Sequence, residues 1–111
     1  PRDERGSRYV RIARNYIESH YHRDVRIARI AENMGLDRSY LTHLFTEEMQ
    51  RSPQQYLLNL RMNKAEALLR HSDQSIGEIA SQVGYPDISA FSRMFKRHTG
   101  RSPSTVRDKT N

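Results

Sequence analysis

Apolar residues recur along almost the whole chain at the three- and four-residue steps of an α-helix. The first such segment, from about Ser7 to Tyr21, is predicted to be a helix. Its apolar stripe comprises Tyr9, Ile12, Ala13, Tyr16, Ile17, His20 and Tyr21. The sequence contains no β-branched alternation bounded by turn residues. The predicted fold class is therefore all-α.

The later segments carry residues that typically begin or end helices. Helices are expected over Val25–Met34, after Asp37 with Tyr40, Leu41, Leu44 and Phe45 inward, and from Pro53 to about Arg70. The start and stop signals are Gly35, Asp37, Ser52-Pro53 with Gln55, Ser75 with Glu78, Gly84, Asp87, and Ser102-Pro103. They predict about seven helices, the last of which frays from Arg107 onward.

The chain repeats itself internally. Ile30–Gly35 matches Ile79–Gly84 at an offset of 49 residues, and Arg51–Pro53 matches Arg101–Pro103 at an offset of 50. The second copy is therefore predicted to have one extra residue in its turn, near Pro86. Each copy has two short helices joined by a turn with Gly, which is the pattern of a helix-turn-helix DNA-binding unit. A plain α-helical repeat that contacts other proteins is the alternative.

The charge balance favours a polyanionic partner. The chain has 19 Lys and Arg against 13 Asp and Glu, a net charge of +6. Nucleic acid is the commonest partner of such a surface, and an anionic membrane surface is the competing interpretation. The predicted joining helix is about 27 Å long, comparable to the roughly 34 Å between successive major-groove faces of DNA. This length favours DNA.

Several kinds of chemistry are excluded or not predicted. The chain has no Cys, which removes disulfides, thiolate nucleophiles and Cys-based zinc sites and fits a reducing cytoplasm. Its five His residues form no His-Glu-x-x-His motif, so neither a metal nor a cofactor is predicted. No apolar run approaches the roughly 18 residues that span a bilayer, and no membrane association is predicted.

A set of motifs follows one another along most of the chain: Ile30-Ala31 to Gly35, Tyr40-Leu41 to Phe45, Ser52-Pro53 to Tyr56-Leu57, Arg61 through Ala65-Leu68-Leu69, Ile79-Ala80 to Gly84-Tyr85, Asp87 through Lys96, and Gly100 to Pro103. In these motifs, and over residues 8 to 107, the chain resembles the DNA-binding domain of the AraC/XylS family of bacterial transcription regulators. The resemblance implies two helix-turn-helix subdomains that are bridged by a long central helix. Each subdomain would insert its second helix into the major groove of double-stranded DNA.

The resemblance also implies features of a longer protein. These are an N-terminal sensing or dimerisation domain missing from this chain, contact with RNA polymerase through that parent regulator, and a cytoplasmic, nucleoid-associated location. The predicted boundaries within this chain are a tail at 1–6, subdomains at 7–51 and 72–107, the central helix at 52–71, and a tail at 108–111.

The predicted DNA-reading residues lie opposite the apolar stripes of the second helix in each unit, where family members present base-contacting side chains. The base-contacting candidates are Arg38, Ser39, Thr42, His43, Ile88, Ser89, Ser92 and Arg93. Arg93 is the main candidate for bidentate recognition of guanine, and His43 for donating a hydrogen bond to guanine or facing a phosphate. The phosphate candidates are Thr46, Arg51, Lys96, Arg97 and Arg101.

The sequence departs from the family pattern in two places. Arg26 occupies the position of the cap Ser75, so the first unit's leading helix is expected to start less firmly or to be capped from Asp24. Glu47 and Glu48 follow Thr46, where the second copy has Arg97 after Lys96. Equal phosphate anchoring by the two units is therefore not expected.

Two other functions compete with transcription regulation. Some DNA alkyl-transfer repair proteins carry this domain, but methyl capture needs a Cys thiolate, which this chain lacks. The chain is therefore not predicted to be an enzyme. A helical adaptor that binds protein is the third interpretation. On the central helix, one of Arg61 and Lys64 is expected to be a structural residue that ties the two units together, with phosphate contact as the alternative.

Overall fold

The computed structural model describes residues 4–110, and within them the chain forms seven α-helices and no β-strand. The helices are α1 (Glu4–His20), α2 (Ile27–Asn33), α3 (Arg38–Met49), α4 (Pro53–His71), α5 (Ile76–Gln82), α6 (Ile88–Thr99) and α7 (Pro103–Thr110). The all-α prediction is confirmed. Residues 1–3 and 111, which belong to the predicted tails, lie outside the described residues.

The helices form two compact units, one ending at Leu58 and the other beginning at Asn59. In the first unit α1 and α2 pack against α3, and its core is formed by Val10, Ala13, Ile17, Val25, Ile27, Ile30, Ala31, Leu41, Phe45 and Leu57. In the second unit α5 and α7 pack against α6, and its core is formed by Met62, Ala65, Leu69, Ile79, Ala80, Val83, Phe91, Phe95 and Val106. Burying these apolar side chains is the main stabilising contribution in each unit.

The helix α1 differs from its prediction in both its start and its buried face. It begins at Glu4 rather than near Ser7. Ile12 and Tyr16 were expected in the apolar stripe, but 45% and 41% of their surfaces are exposed, whereas Val10 is buried. The prediction was wrong because it combined two faces. Positions 10, 13 and 17 share one side of a helix with 3.6 residues per turn, and positions 12 and 16 lie on another.

The two helix-turn-helix turns differ in length as predicted. Residues 34–37 join α2 to α3, and residues 83–87 join α5 to α6, so the second turn is longer by one residue. Gly35 and Gly84 adopt positive φ angles of 72° and 93°. These left-handed residues let the chain leave each helix, and the Leu36 N–H then donates to the Ala31 carbonyl at 2.9 Å.

The helices differ in whether a side chain caps their N-terminus. Capping boxes are present at Ser52 with Gln55 and at Ser75 with Glu78, both as predicted. The hydrogen bond from the Ser75 backbone N–H lowers the pKa of Glu78. By contrast, the Arg26 side chain makes no capping hydrogen bond at the start of α2, and its Nε instead donates to Asp24 at 3.2 Å.

The final helix α7 continues to Thr110 instead of fraying from Arg107. The guanidinium of Arg107 donates hydrogen bonds to the backbone carbonyls of Leu69 at 3.2 Å, Ser72 at 3.1 Å and Gln74 at 2.6 Å. These carbonyls lie in the last turn of α4 and in the segment that follows it, where a helix leaves acceptors without partners. Arg107 thus joins α7 to the end of α4 within the second unit.

Gln50 ends α3 in the left-handed region with φ 62°, and it is the one non-glycine with positive φ among the described residues. Its counterpart in the repeat is Gly100, with φ 83°. Replacing Gln50 with glycine is expected to raise the free energy of unfolding by about 0.5–1 kcal/mol, because glycine adopts this conformation without steric cost. Urea unfolding of the variant measures the change.

The reciprocal change provides the control. Gly100→Ala is expected to lower the free energy of unfolding by about 1 kcal/mol, since a Cβ there meets no neighbour but the backbone conformation is unfavourable. This account of the helix ends would be contradicted if both substitutions raised, or both lowered, the free energy of unfolding.

Candidate nucleic-acid interface

Helix α3 presents a polar face because its apolar face is fixed in the core of the first unit. Leu41 and Phe45 are completely buried, so helical periodicity directs the opposite side chains to solvent. The five candidates on this helix line a single open depression, and they are Arg38, Ser39, Thr42, His43 and Thr46. Thr42 is half-buried, and the other four are exposed. The structure therefore brings together all first-unit candidates except Arg51.

One residue of α3 lies elsewhere than predicted. Tyr40 was expected to face inward with Leu41, but 46% of its surface is exposed. Tyrosine and leucine at consecutive positions point about 100° apart on a helix, so burying Leu41 leaves Tyr40 at the edge of the core. An exposed aromatic ring therefore lies beside Ser39 on the solvent side of this helix.

Helix α6 presents the corresponding face of the second unit. Phe91 and Phe95 are completely buried, with their ring centroids 5.6 Å apart. The candidates on the opposite side are Ile88, Ser89, Ser92, Arg93, Lys96 and Arg97, of which Ser92 is half-buried and the others are exposed. Arg93 is exposed on the second turn of α6.

Ile88 at the start of α6 is exposed over 51% of its surface, yet it lies against α5. A Cβ placed on Gly77 would come within 3.3 Å of the Ile88 Cδ1 atom. Glycine at position 77 therefore lets the isoleucine side chain lie close to the α5 backbone. Sequence reasoning missed this role of Gly77, although a glycine inside a short helix is an indication of close packing.

The starts of α3 and α6 are held differently. Asp87 accepts a hydrogen bond from the Ala90 backbone N–H at 2.7 Å, as predicted. Asp37 occupies the same position before α3 but makes no capping hydrogen bond, so that prediction was wrong. Backbone conformation does not account for the difference, because Ser75 caps α5 with φ −66°, close to the −73° of Asp37.

The two arginines that precede the Ser-Pro helix starts are exposed, at Arg51 and Arg101. The Thr99 hydroxyl donates to the Phe95 carbonyl at 2.8 Å and accepts from the Arg101 N–H at 3.2 Å. Near Arg51, the Tyr56 hydroxyl donates to Glu18, and burial together with this carboxylate raises the pKa of Tyr56 to about 12. Both arginines are thus exposed immediately before the Ser-Pro start of a helix.

Helix α3 ends with acidic residues where α6 has basic ones. The His43 Nε2 atom lies 3.3 Å from the Glu47 carboxylate, one helical turn further along. The Ser7 hydroxyl donates to Glu48 at 2.9 Å, which ties α1 to α3. The i, i+4 spacing of His43 and Glu47 is visible in the sequence, and it could have revealed their pairing.

Arg61 on α4 has a packing contact inside the second unit. Its guanidinium lies 5.3 Å from the centroid of the Tyr85 ring, a cation–π arrangement. Burial raises the pKa of Tyr85, and the positive charge of Arg61 opposes this shift. Tyr85 in turn contacts Phe91, with ring centroids 5.9 Å apart. This geometry supports the structural interpretation of Arg61, while Lys64 is exposed.

The described residues lack a metal-binding cluster and a membrane-spanning helix. They contain no group of three or more His, Cys, Asp or Glu side chains that could hold a metal ion. None of their helices is both long enough and apolar enough to cross a membrane.

Comparisons with known proteins agree on one kind of domain. A family model described as a helix-turn-helix domain matches residues 30–109. The chain is 38% identical over 99 residues to the Msm operon regulatory protein of Streptococcus mutans, covering 89% of this chain but 36% of that protein. It therefore spans little more than a third of the length of this curated relative.

Solved structures resemble the fold closely. The C-terminal domain of AraT, a response regulator from Geobacillus stearothermophilus, has a TM-score of 0.87 and 35% sequence identity, covering 91% of this chain and 84% of that one. The DNA-binding domain of the global transcriptional factor AdpA, solved in complex with a target DNA, has a TM-score of 0.82 and 25% identity, covering 90% of each chain.

Proposed function

The chain belongs to the AraC-type helix-turn-helix family of transcription regulators, and we propose that it reads one double-stranded DNA site with two recognition helices, α3 and α6. Each helix enters a major groove, the two grooves being adjacent. Sequence-specific DNA binding is the function of the family domain, and the family is not one of enzymes. What we propose beyond this is that α3 and α6 enter two adjacent major grooves of the same DNA site.

One observation carries this proposal. Each unit exposes a polar stripe at equivalent positions of the repeat, on a helix whose opposite side is fixed by two fully buried residues. The continuous 19-residue helix α4 joins the units and, at 1.5 Å per residue, extends about 28 Å. The AdpA domain, which has the same fold, binds its target DNA. We propose subdomains at 7–51 and 72–107 around this helix at 52–71.

The residues divide into two roles. Base edges are contacted by Arg38, Ser39, Thr42, His43, Ile88, Ser89, Ser92 and Arg93. Phosphates are contacted by Thr46, Arg51, Lys96, Arg97 and Arg101. Arginine forms bidentate hydrogen bonds with the O6 and N7 atoms of guanine, and Ile88 contacts a thymine methyl group. Cationic side chains bind the backbone without reading its sequence.

Arg93→Ala tests the assignment of base reading. The duplex is first obtained by selecting bound sequences from a random library, and affinities are then measured by gel shift on the selected and scrambled duplexes. The variant is expected to lose about ten-fold more affinity for the selected duplex than for the scrambled one, because a bidentate contact contributes about 1–3 kcal/mol of discrimination.

Arg97→Ala is the matched control, since it makes the same substitution in the same helix. It is expected to weaken binding to both duplexes equally. Equal losses for Arg93→Ala as well would reduce Arg93 to a phosphate contact. If the unmodified chain bound selected and scrambled duplexes alike, the protein-binding adaptor would replace the proposal.

A proposal about the full-length protein follows from the fraction of its relatives' length that this chain covers. The chain spans 36% of the Msm operon regulator. We propose that the parent protein adds an N-terminal sensing or dimerisation domain, contacts RNA polymerase when bound to DNA, and acts in the cytoplasm at the nucleoid.

A further inference from the structure

We propose that Glu47 is a positioning residue for base recognition, acting through His43, and that it makes the first unit select an amino-bearing base, adenine or cytosine, over guanine. This inference rests on the proposed function, since it assigns chemistry to one of the two reading faces. It revises the expectation that His43 donates a hydrogen bond to guanine.

The argument begins with the contact between the two side chains. The His43 Nε2 atom lies 3.3 Å from a carboxylate oxygen of Glu47, and both side chains are exposed. A carboxylate has only acceptor sites, so a hydrogen bond between them requires the hydrogen to be on Nε2. In the neutral imidazole the other nitrogen, Nδ1, then lacks a hydrogen and is an acceptor. Glu47 therefore selects the tautomer of His43.

The tautomer determines which bases can form a hydrogen bond with the His43 ring. In the major groove, adenine presents an N6 amino group and cytosine an N4 amino group, both of which are donors. Guanine presents only the acceptors N7 and O6 at its own edge. An acceptor at Nδ1 therefore pairs with adenine or cytosine and faces unpaired acceptors on guanine. His43 is on the exposed stripe of α3 and lines the same depression as Arg38, Ser39 and Thr42.

The alternative role for Glu47, phosphate anchoring, is contrary to its charge. Its counterpart in the second unit is Arg97, a phosphate candidate. A carboxylate beside a polyanion weakens binding to every sequence, so its contribution to recognition is orientation rather than affinity. The neighbouring Glu48 makes a different contact, accepting from Ser7 at 2.9 Å. Glu47 and Glu48 thus carry the same charge, but Glu47 contacts His43 and Glu48 contacts Ser7.

This difference provides a matched pair of variants. Base preference is measured at pH 8.5 on duplexes that vary a single base pair, the one at which the His43→Ala variant no longer discriminates between bases. The unmodified chain is expected to prefer adenine or cytosine over guanine by about five-fold, the scale of one net hydrogen bond. Glu47→Ala is expected to reduce this preference to within about two-fold, whereas Glu48→Ala keeps it.

The double variant with alanine at positions 43 and 47 distinguishes positioning of His43 by Glu47 from a general effect of the Glu47 charge. If Glu47 acts through His43, Glu47→Ala produces no further change in base preference when His43 is already alanine. The inference is overturned if Glu47→Ala and Glu48→Ala change affinity equally for all four base pairs, or if Glu47→Ala still alters the preference in the His43→Ala background. Loss of discrimination between selected and scrambled duplexes by the unmodified chain would instead refute the proposed function itself.

Discussion

Arg107→Ala is expected to lower the free energy of unfolding by about 3 kcal/mol. The guanidinium donates to three carbonyls at 2.6 to 3.2 Å, and a fourth, that of Leu68, lies at 3.5 Å. Hydrogen bonds that involve a charged group contribute about 1.5–3 kcal/mol each, although losses within one cluster do not add fully. Urea unfolding followed by circular dichroism gives the free energy of unfolding.

Two controls distinguish this effect from a general loss of charge. Arg101→Ala makes the same substitution at an exposed position and is expected to change stability by less than about 0.5 kcal/mol. Arg107→Lys keeps the charge but not the planar fork, so an intermediate loss is expected. The assigned role of Arg107 is wrong if its alanine variant is as stable as that of Arg101.

DNA affinity is expected to fall by on the order of 100-fold when salt is raised from about 50 to 200 mM. Each phosphate contact adds about 0.9 to the slope of log affinity against log salt. The four cationic phosphate candidates Arg51, Lys96, Arg97 and Arg101 therefore give a slope near −3.6. Fluorescence anisotropy with a labelled duplex measures this slope directly.

Single substitutions show which residues contribute to the slope of log affinity against log salt. Arg101→Ala is expected to make it shallower by about 0.9, because one phosphate contact is lost. Arg11→Ala removes a cation from an exposed position on α1, which is not one of the proposed recognition helices, and is expected to leave the slope unchanged. A slope shallower than about −1 for the unmodified chain would show that the four contacts do not exist.

The exposed polar faces of α3 and α6 could be predicted because helical periodicity determines them. Once Phe45 and Phe91 are recognised as core residues, the side chains on the other side of α3 and α6 must face solvent. The repeat also predicts the extra residue of the second turn, since an insertion changes the offset between copies. These predictions need only local spacing, and for that reason they agree with the structure.

Contacts between distant segments could not be predicted in the same way. Arg107 bonds to backbone carbonyls 33 to 39 residues earlier, and a carbonyl acceptor has no signature in the identity of its residue. The exposure of Ile12 and Tyr16 was missed because an apolar residue marks a helix face but not whether a neighbour covers it. Asp37 is a residue type that can cap a helix, but its identity does not show whether its carboxylate bonds to a backbone N–H of α3.

The uneven capping has a consequence for motion. Neither α2 nor α3 begins with a side-chain cap, whereas α5 and α6 both do. A cap contributes about 1 kcal/mol, so the two missing caps alone would favour transient opening of α2 and α3 by roughly 30-fold relative to α5 and α6. With packing equal in the two units, we therefore expect faster amide hydrogen exchange in α2 and α3 than in α5 and α6 of the unbound domain.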